Sequence, residues 1–341
     1  MAVETVLSTV SAPERRAQAQ RFSPVRPRSP EITKSASPSN RAGAFCGNVL
    51  LPSPIICIKE HNLSVYVYNW GVTFSRYFES QLSRGRAYFS REEALQALGK
   101  SSQAFSATAT RFTRKRLLAS PRRGFYLILR PEDRVTGPDP ARWIDPLMKH
   151  LLLDYRISLL RAAAFHGSSH QAAMVFQVVV PKQLRAFNIG RHRVQFVFQA
   201  PAAFEKSNQP GWLDQLKTDS GFAKIAGIEL TLLDSARYFH KVAGLSGLAQ
   251  IVHDLGRKAN PHKLSKAATT YENAAIRRLG YLLEFFGHER QASALRHFVK
   301  KAKSMKLLDP SIKPRANVFA EPHQKDSKWM LVINDSLEID S

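Results

Sequence analysis

The chain has 341 residues, which is a typical length for two domains, and its 44% apolar content is sufficient for folded cores. Its 50 Lys and Arg against 27 Asp and Glu give a net charge of +23, so nucleic acid is the favoured partner, ahead of an anionic membrane surface and of acidic proteins. Two cysteines are too few for a disulfide framework and indicate a reducing, cytoplasmic compartment, and no apolar run in the sequence reaches the length of a transmembrane helix.

The first 70 residues differ from the rest of the chain. They contain seven of the 19 prolines and show neither the helical nor the strand period over any sustained length. This composition predicts a disordered leader. The alternative is that translation starts further downstream, near residues 63–72, so that the leader is not part of the natural protein.

Two helices are predicted at the start of the patterned region. Residues 73–89 carry apolar side chains at intervals of three and four, which indicates one buried helical face. Ser90 stands three residues before Glu93, the spacing of a capping box, and begins a second, short helix. Gly99 ends that helix, because glycine readily adopts the left-handed conformation that follows a helix.

A third helix and a hairpin follow. Ser101 or Ser102 caps a helix that runs to about Arg116, and residues 120–124 form a tight turn between two short strands. Three helices followed by a basic hairpin is the order of a winged helix-turn-helix, here over residues 73–130. Residues 131–140 contain three prolines and a glycine and are predicted to form a linker.

Beyond the linker the pattern predicts a second domain over residues 141–307 and an extended arm over 308–341. The expected fold class is α+β, with the winged helix-turn-helix followed by a mixed α/β domain that has a small antiparallel sheet and several helices. The predicted elements are helices at 141–153, 157–166, 228–237, 244–255, 274–286 and 292–306, and paired strands at 175–180 and 191–199.

Positive charge is concentrated in the candidate winged helix-turn-helix. Residues 71–130 hold twelve basic and three acidic residues, whereas the 211 residues that follow hold thirty basic and twenty acidic ones. Hydroxyl, amide and guanidinium groups can reach base edges or phosphates from a helix in the major groove. Alone, a basic helix can also be a merely solvated surface. The predicted DNA-binding residues lie on the third helix and at the hairpin tip: Ser101, Ser102, Gln103, Ser106, Thr110, Arg111, Arg114, Lys115, Arg122 and Arg123.

Several strings in both predicted domains resemble the AbiEi family of antitoxins. They are Gly99-Lys100-Ser101 after residues 91–98, the turn and strand at 120–126, Trp143-Ile144-Asp145, His166-Gly167 with His170-Gln171, Phe176-Gln177-Val178-Val179, and residues 278–284. The resemblance covers roughly residues 73–300.

The resemblance implies an antitoxin of a type IV toxin–antitoxin system. Its N-terminal domain would repress the protein's own operon by binding inverted repeats in the promoter. Its second domain would counter a nucleotidyltransferase-like toxin, without forming a stable complex with it. Two alternatives remain open: an RNA-binding protein that protects the RNA target of the toxin, and a ligand-responsive winged-helix transcription factor unrelated to toxins.

No catalytic, metal or cofactor site is expected. His166 and His170 are four residues apart, but no acid lies between them and Gly167 interrupts a helix there, so the zincin pattern is absent. Ser168 and Ser169 lack the strand and glycine of a nucleophile elbow. The basic residues of 296–306 are either a second polyanion surface or a solvated helix end.

Overall fold

The computed structural model describes residues 73–168, 175–312 and 324–335, and these described residues belong to one compact unit. The predicted leader lies outside the described residues, as do Ser169, His170 and Gln171. Within the described residues the fold is α+β, as the sequence predicts. None of the helices in these ranges has the length and apolarity needed to cross a membrane.

The N-terminal part has the element order and sheet of a winged helix-turn-helix. Three helices precede a hairpin, and the hairpin strands form an antiparallel sheet with a short strand between the first two helices, in the order β1-β3-β2. The elements are α1 (Phe74–Ser83), β1 (Tyr88–Ser90), α2 (Arg91–Leu98), α3 (Ser102–Arg114), β2 (Leu118–Arg122) and β3 (Phe125–Ile128).

The predicted helix over 73–89 is wrong in its second half. The helix ends at Ser83, Gly85 follows with a φ of +72°, and Tyr88–Ser90 is a strand. The reason is tertiary, since Tyr88 pairs with Leu127 in the sheet. The apolar residues of 73–89 therefore fit one helical period in the sequence but belong to a helix and a strand in the structure.

The boundaries of α2 follow from local chemistry. The hydroxyl of Ser90 accepts a hydrogen bond from the backbone N–H of Glu93, and the Glu93 carboxylate accepts one from the backbone N–H of Ser90. Gly99 ends the helix in the left-handed region, with a φ of +59°. Ser101 caps α3 by accepting a hydrogen bond from the Ala104 N–H. The predicted capping box and C-terminal glycine are confirmed.

Aromatic side chains fill the core of this part. Phe74 lies 5.6 Å from both Phe105 and Phe112 between ring centroids, and Phe89 stacks on Phe78 at 5.7 Å. Phe89 and Phe105 are fully buried. Pairs at such distances stabilise a core by about 0.5–1.5 kcal/mol beyond the area that they bury.

The remaining elements form the second domain and the C-terminal segment. They are α4 (Asp133–Thr136), α5 (Ile144–His150), β4 (Arg156–Ile157), α6 (Leu159–Phe165), β5 (Val175–Val180), β6 (Phe187–Ile189), β7 (His192–Phe198), α7 (Pro201–Ser207), β8 (Leu213–Thr218), β9 (Gly221–Ala226), α8 (Ile228–Arg237), α9 (Gly244–Leu255), α10 (Pro261–Ala268), α11 (Asn273–Phe285), α12 (Glu289–Leu295), β10 (Lys306–Leu307), β11 (Gln324–Asp326) and β12 (Leu331–Ile333).

The predicted small antiparallel sheet is a six-stranded mixed sheet in the order β6-β7-β5-β4-β9-β8. The two strands predicted to pair, β5 and β7, do pair, but in parallel, with Phe176 opposite Val194. They run in parallel because the intervening chain first forms β6 at the sheet edge and then turns back into β7. The polar region from Pro201 to Thr218 contains α7 and β8.

A fully buried ion pair lies in the core of the second domain. The guanidinium of Arg156 donates two hydrogen bonds to the Asp234 carboxylate, at 2.9 and 2.8 Å. The hydroxyls of Ser158 and Tyr271 donate to the same carboxylate, at 2.6 and 2.7 Å. Burial alone would raise the pKa of Asp234, but Arg156 and these hydroxyls hold it below its ordinary value.

The C-terminal predictions need two corrections. The basic helix expected over 292–306 ends as α12 at Leu295 and continues as a 3-10 segment and a short strand. The segment expected to be an extended arm contributes β11 and β12 to a small sheet with β10. Trp329 is 1% exposed and its ring lies directly over Gly280, where a side chain would clash with it.

Candidate nucleic-acid interface

Helix α3 buries one side and exposes the other. Phe105 and Ala109 are buried, and Phe112 is half-buried. The predicted base- and phosphate-contacting residues lie on the opposite side of the helix, and all except the half-buried Ser106 are exposed: Ser101, Ser102, Gln103, Thr110, Arg111, Arg114 and Lys115. The structure thus places six of the ten predicted site residues on α3, with Ser101 and Lys115 at its two caps.

Four hydroxyls of this surface are engaged within the protein. Ser101 caps the helix, and Thr110 donates to the backbone oxygen of Ser106 at 2.9 Å. The hydroxyls of Ser102 and Ser106 both accept hydrogen bonds from the Arg91 guanidinium, at 2.7 and 3.0 Å. The two serines are therefore held in fixed positions rather than left to rotate freely.

Arg91 contacts this surface but is not among the residues predicted from the sequence. It begins α2, and its guanidinium also lies 5.4 Å from the centre of the Phe105 ring. A cation in the first turn of a helix opposes the helix dipole, which is unfavourable. In the sequence, an arginine at this unfavourable position indicates that the side chain has a partner elsewhere in the fold.

Unpaired positive charge lies at the C-terminal end of α3. Arg111, Arg114, Lys115 and Arg116 are exposed. Within the described ranges none of them forms an ion pair with a carboxylate. This end of the helix is a dense positive surface with no internal counter-charge, which is the electrostatic arrangement that attracts a phosphate backbone.

The two arginines at the hairpin tip face different surroundings. Arg123 is exposed, whereas the guanidinium of Arg122 lies 4.7 Å from the Phe187 ring centre and donates a hydrogen bond to the backbone oxygen of Arg185. Burial lowers the pKa of Arg122. Of the two arginines predicted at the hairpin tip, only Arg123 projects from it, because Arg122 packs on the edge of the large sheet.

The hairpin itself is docked on the second domain. The ring of Phe125 lies 5.5 Å from His150, and a ring nitrogen of His150 is 3.3 Å from the backbone oxygen of Arg123. Phe125 and Leu127 belong to the core of the second domain, whereas Tyr126 packs into the winged-helix core. Alternate residues of β3 thus join two cores, as the period of two in a strand requires.

The predicted linker is packed rather than extended. Residues 133–136 form α4, and the Asp133 carboxylate lies 3.6 Å from the guanidinium of Arg142. Arg142 also pairs with Asp219 at 2.7 Å. Gly137, with a φ of +80°, lies against the backbone of Ile189 so closely that a side chain would clash.

Of the residues considered for a metal site or for catalysis, His166 and Ser168 are described, and both have structural partners. A ring nitrogen of His166 lies 2.7 Å from the backbone oxygen of Ala226, and the Ser168 hydroxyl donates to Asp254 at 2.7 Å. Within the described ranges, no group of three or more His, Cys, Asp or Glu side chains is placed to hold a metal ion. In the basic segment after α12, Lys300, Lys301 and Lys303 are exposed.

Comparison with known proteins bears on the second domain. Residues 156–285 match the family model of the AbiEi antitoxin C-terminal domain. No curated protein matches the sequence. Among solved structures, the RV2827C protein from Mycobacterium tuberculosis superposes with a TM-score of 0.53 at 16% identity, covering 76% of this chain and 90% of that one, which shows a shared fold. The match confirms, for residues 156–285, the resemblance to the AbiEi antitoxins that the sequence strings indicated.

Proposed function

We propose that this chain is an antitoxin that binds promoter DNA through α3, represses its own operon and acts in a type IV system. In this proposal residues 73–130 are the DNA-binding domain and residues 141–307 the antitoxin domain. The observation that carries the DNA-binding proposal is the exposed side of α3, which presents Arg111, Arg114 and Lys115 without a carboxylate partner in the described part of the chain.

The dimensions of α3 suit the major groove. Its 13 residues span about 20 Å, and the groove is about 12 Å wide, so a single helix can lie in it with side chains reaching base edges. Gln103 and Thr110 are exposed on the outer side, where an amide and a hydroxyl can read bases. Arg111, Arg114 and Lys115 are placed to contact phosphates and set the register.

The hydroxyls of Ser102 and Ser106 are assigned a smaller part. Both accept from Arg91, but a hydroxyl oxygen has a second lone pair and can still accept from a base amine. Arg122 is not assigned a DNA contact, because its guanidinium is engaged by Phe187 and Arg185. Arg123 retains its assignment as a phosphate contact.

The DNA-binding proposal is tested with a labelled duplex from the region upstream of the protein's own reading frame. Arg111→Ala is expected to weaken binding on the order of tenfold at 0.1 M salt and to make the salt slope shallower by about one, as loss of one phosphate contact requires. Lys266→Ala removes an exposed charge outside every surface proposed to bind nucleic acid and serves as the matched control. Equal binding by both variants and the unaltered protein would contradict the proposal.

The type IV assignment is tested by co-expression. Cells that express a neighbouring nucleotidyltransferase-like protein are expected to stop growing, and co-expression of this chain is expected to restore growth. Affinity capture of the tagged toxin from the same cells is expected to recover no antitoxin. Recovery of the two proteins in a stable stoichiometric complex would show that neutralisation works by direct binding instead.

A further inference from the structure

A second basic surface borders the docked hairpin. It consists of Lys182 and Arg185 in the loop before β6, and of Arg191 and Arg193 in the β6–β7 hairpin; we call these four residues the basic edge. All four are exposed, and residues 155–204 contain no Asp or Glu at all. Within the described ranges none of the four forms an ion pair with a carboxylate.

Short contacts connect the basic edge to the start of α3. The side chain of Arg91 donates to the Ser102 hydroxyl at 2.7 Å, and its backbone N–H donates to the Gly124 oxygen at 2.8 Å. Two residues before Gly124, the Arg122 guanidinium donates to the backbone oxygen of Arg185. The N-terminus of α3, the hairpin turn and the basic edge are therefore neighbours in one packed unit.

The hairpin turn is too short to act as a wing. Only Arg123 and Gly124 separate β2 from β3, and the turn rests on His150. A wing contacts the backbone beside the groove that the recognition helix enters. With Arg122 turned inward, one arginine of the turn remains for that task, and the contact of Arg122 with Arg185 places the basic edge beside it.

The basic edge is held in place before any ligand arrives. Arg191 and Arg193 belong to the β6–β7 hairpin, which is the outer strand pair of the six-stranded sheet, and the backbone N–H of Arg191 donates to the oxygen of Thr136 at 2.8 Å. Gly190, with a φ of +58°, lies against the backbone of Thr136 and Gly137 without room for a side chain. Because this hairpin is anchored to the segment that joins the two domains, its arginines keep a fixed position relative to α3.

We infer that the basic edge binds the DNA backbone beside the groove that α3 enters and takes the place of the wing. This inference rests on the proposed DNA binding, and it adds a footprint from the second domain. The ligand chemistry is a row of duplex phosphates, which needs spaced cations and no base-reading groups. Both domains then contact the same duplex.

The experiment uses the full chain and the upstream duplex described above. Two double variants, Lys182→Gln/Arg185→Gln and Arg191→Gln/Arg193→Gln, each remove two charges and retain most of the side-chain volume. Lys263→Gln/Lys266→Gln removes the same charge from an exposed site on α10, outside every surface proposed to bind nucleic acid, and is the matched control. Thermal unfolding midpoints are measured first, so that a double variant that does not fold is recognised and the other one carries the test.

Each double variant of the edge is expected to make the salt slope shallower by roughly two and to weaken binding on the order of 50-fold at 0.1 M salt, whereas the control binds like the unaltered protein. Hydroxyl-radical footprinting should show loss of protection on the backbone beside the α3 site, with the α3 site still protected.

Three results would overturn the inference in distinguishable ways. If the unaltered protein binds no upstream duplex, the proposed DNA binding fails and the inference fails with it. If Arg111→Ala weakens binding and the edge variants do not, DNA binding stands and the edge is not part of the footprint. If the edge variants keep duplex affinity but lose affinity for a tRNA competitor, the basic edge is an RNA surface.

Discussion

Arginine has opposite surroundings in the two parts of this molecule. On α3, Arg111 and Arg114 are exposed and have no carboxylate partner in the described part of the chain. In the second domain, Arg156 is fully buried and bound to Asp234, and Arg278 donates to the backbone oxygens of Leu308 and Ala236. The comparison teaches that the partners of an arginine, not its presence, separate a surface for a polyanion from a core contact.

The largest expected effect comes from breaking the buried pair. Arg156→Met should lower the free energy of unfolding by about 3–5 kcal/mol, because it leaves the Asp234 carboxylate buried without its counter-charge. Urea unfolding measures the change. Arg114→Ala is the matched exposed substitution and should change stability by less than about 0.5 kcal/mol. Similar losses for the two variants would contradict the contrast between the two regions.

The same pair predicts a dependence on acid pH. The folded state holds the pKa of Asp234 below its ordinary value, so this group adds stability that is fully present above the pKa of the unfolded chain, about 3.9. The added stability is lost as the pH falls below that value and through the lower pKa of the folded state. Urea unfolding between pH 5 and pH 3 should therefore show falling stability.

The control for the acid effect is Asp234→Asn, which removes the titrating group. Its stability at pH 5 should be lower than that of the unaltered protein, since Arg156 is left without a full counter-charge. Its slope between pH 5 and pH 3 should be smaller, because one fewer group takes up a proton on unfolding. An unchanged slope would mean that other carboxylates dominate acid unfolding.

The two arginines of the hairpin turn allow the same comparison, of a packed arginine with an exposed one, between adjacent residues. Arg122→Ala should lower the free energy of unfolding by about 1 kcal/mol through loss of its contact with Phe187, whereas Arg123→Ala should leave stability unchanged. For duplex affinity the order is reversed, and Arg123→Ala should weaken binding on the order of tenfold with a salt slope shallower by about one. Thermal unfolding and duplex titration, measured on both variants, check the two halves of this prediction.

The smallest expected effect concerns Arg91, which is bound within the protein and also contacts the serines of the proposed DNA-binding surface. Arg91→Lys keeps the charge but replaces the planar guanidinium that reaches Ser102 and Ser106. Discrimination between the upstream duplex and a scrambled duplex should fall severalfold, with the salt slope unchanged. A shallower salt slope would instead identify Arg91 as a phosphate contact.

Local chemistry made some elements predictable. Ser90, Glu93 and Gly99 determine both ends of α2 through hydrogen bonds within ten residues, and the bounds predicted for α8 and α9 match the structure. The apolar spacing predicted the wrong element where the local conformation depends on a residue far away in the chain. Tyr88 leaves the helical pattern because Leu127 pairs with it.

The candidate site also contains a part that local sequence predicts and a part that depends on distant residues. The exposed side of α3 follows from the spacing of Phe105, Ala109 and Phe112, because side chains three and four apart share one side of a helix. The positions of Arg91 and Arg122 depend on contacts with residues 11 to 65 positions away in the chain. No local pattern records such contacts.

The sequence by itself determined the helix order of the N-terminal part, the buried side of α3, the concentration of positive charge there and the strings of the second domain. Only the tertiary structure decided that β5 and β7 run in parallel, that the hairpin is docked on His150 and that Arg122 faces inward. The physical reason is the distance along the chain over which each kind of interaction acts. Caps and periodicity act within a few residues, whereas strand order and domain packing depend on surfaces that meet only after the chain has folded.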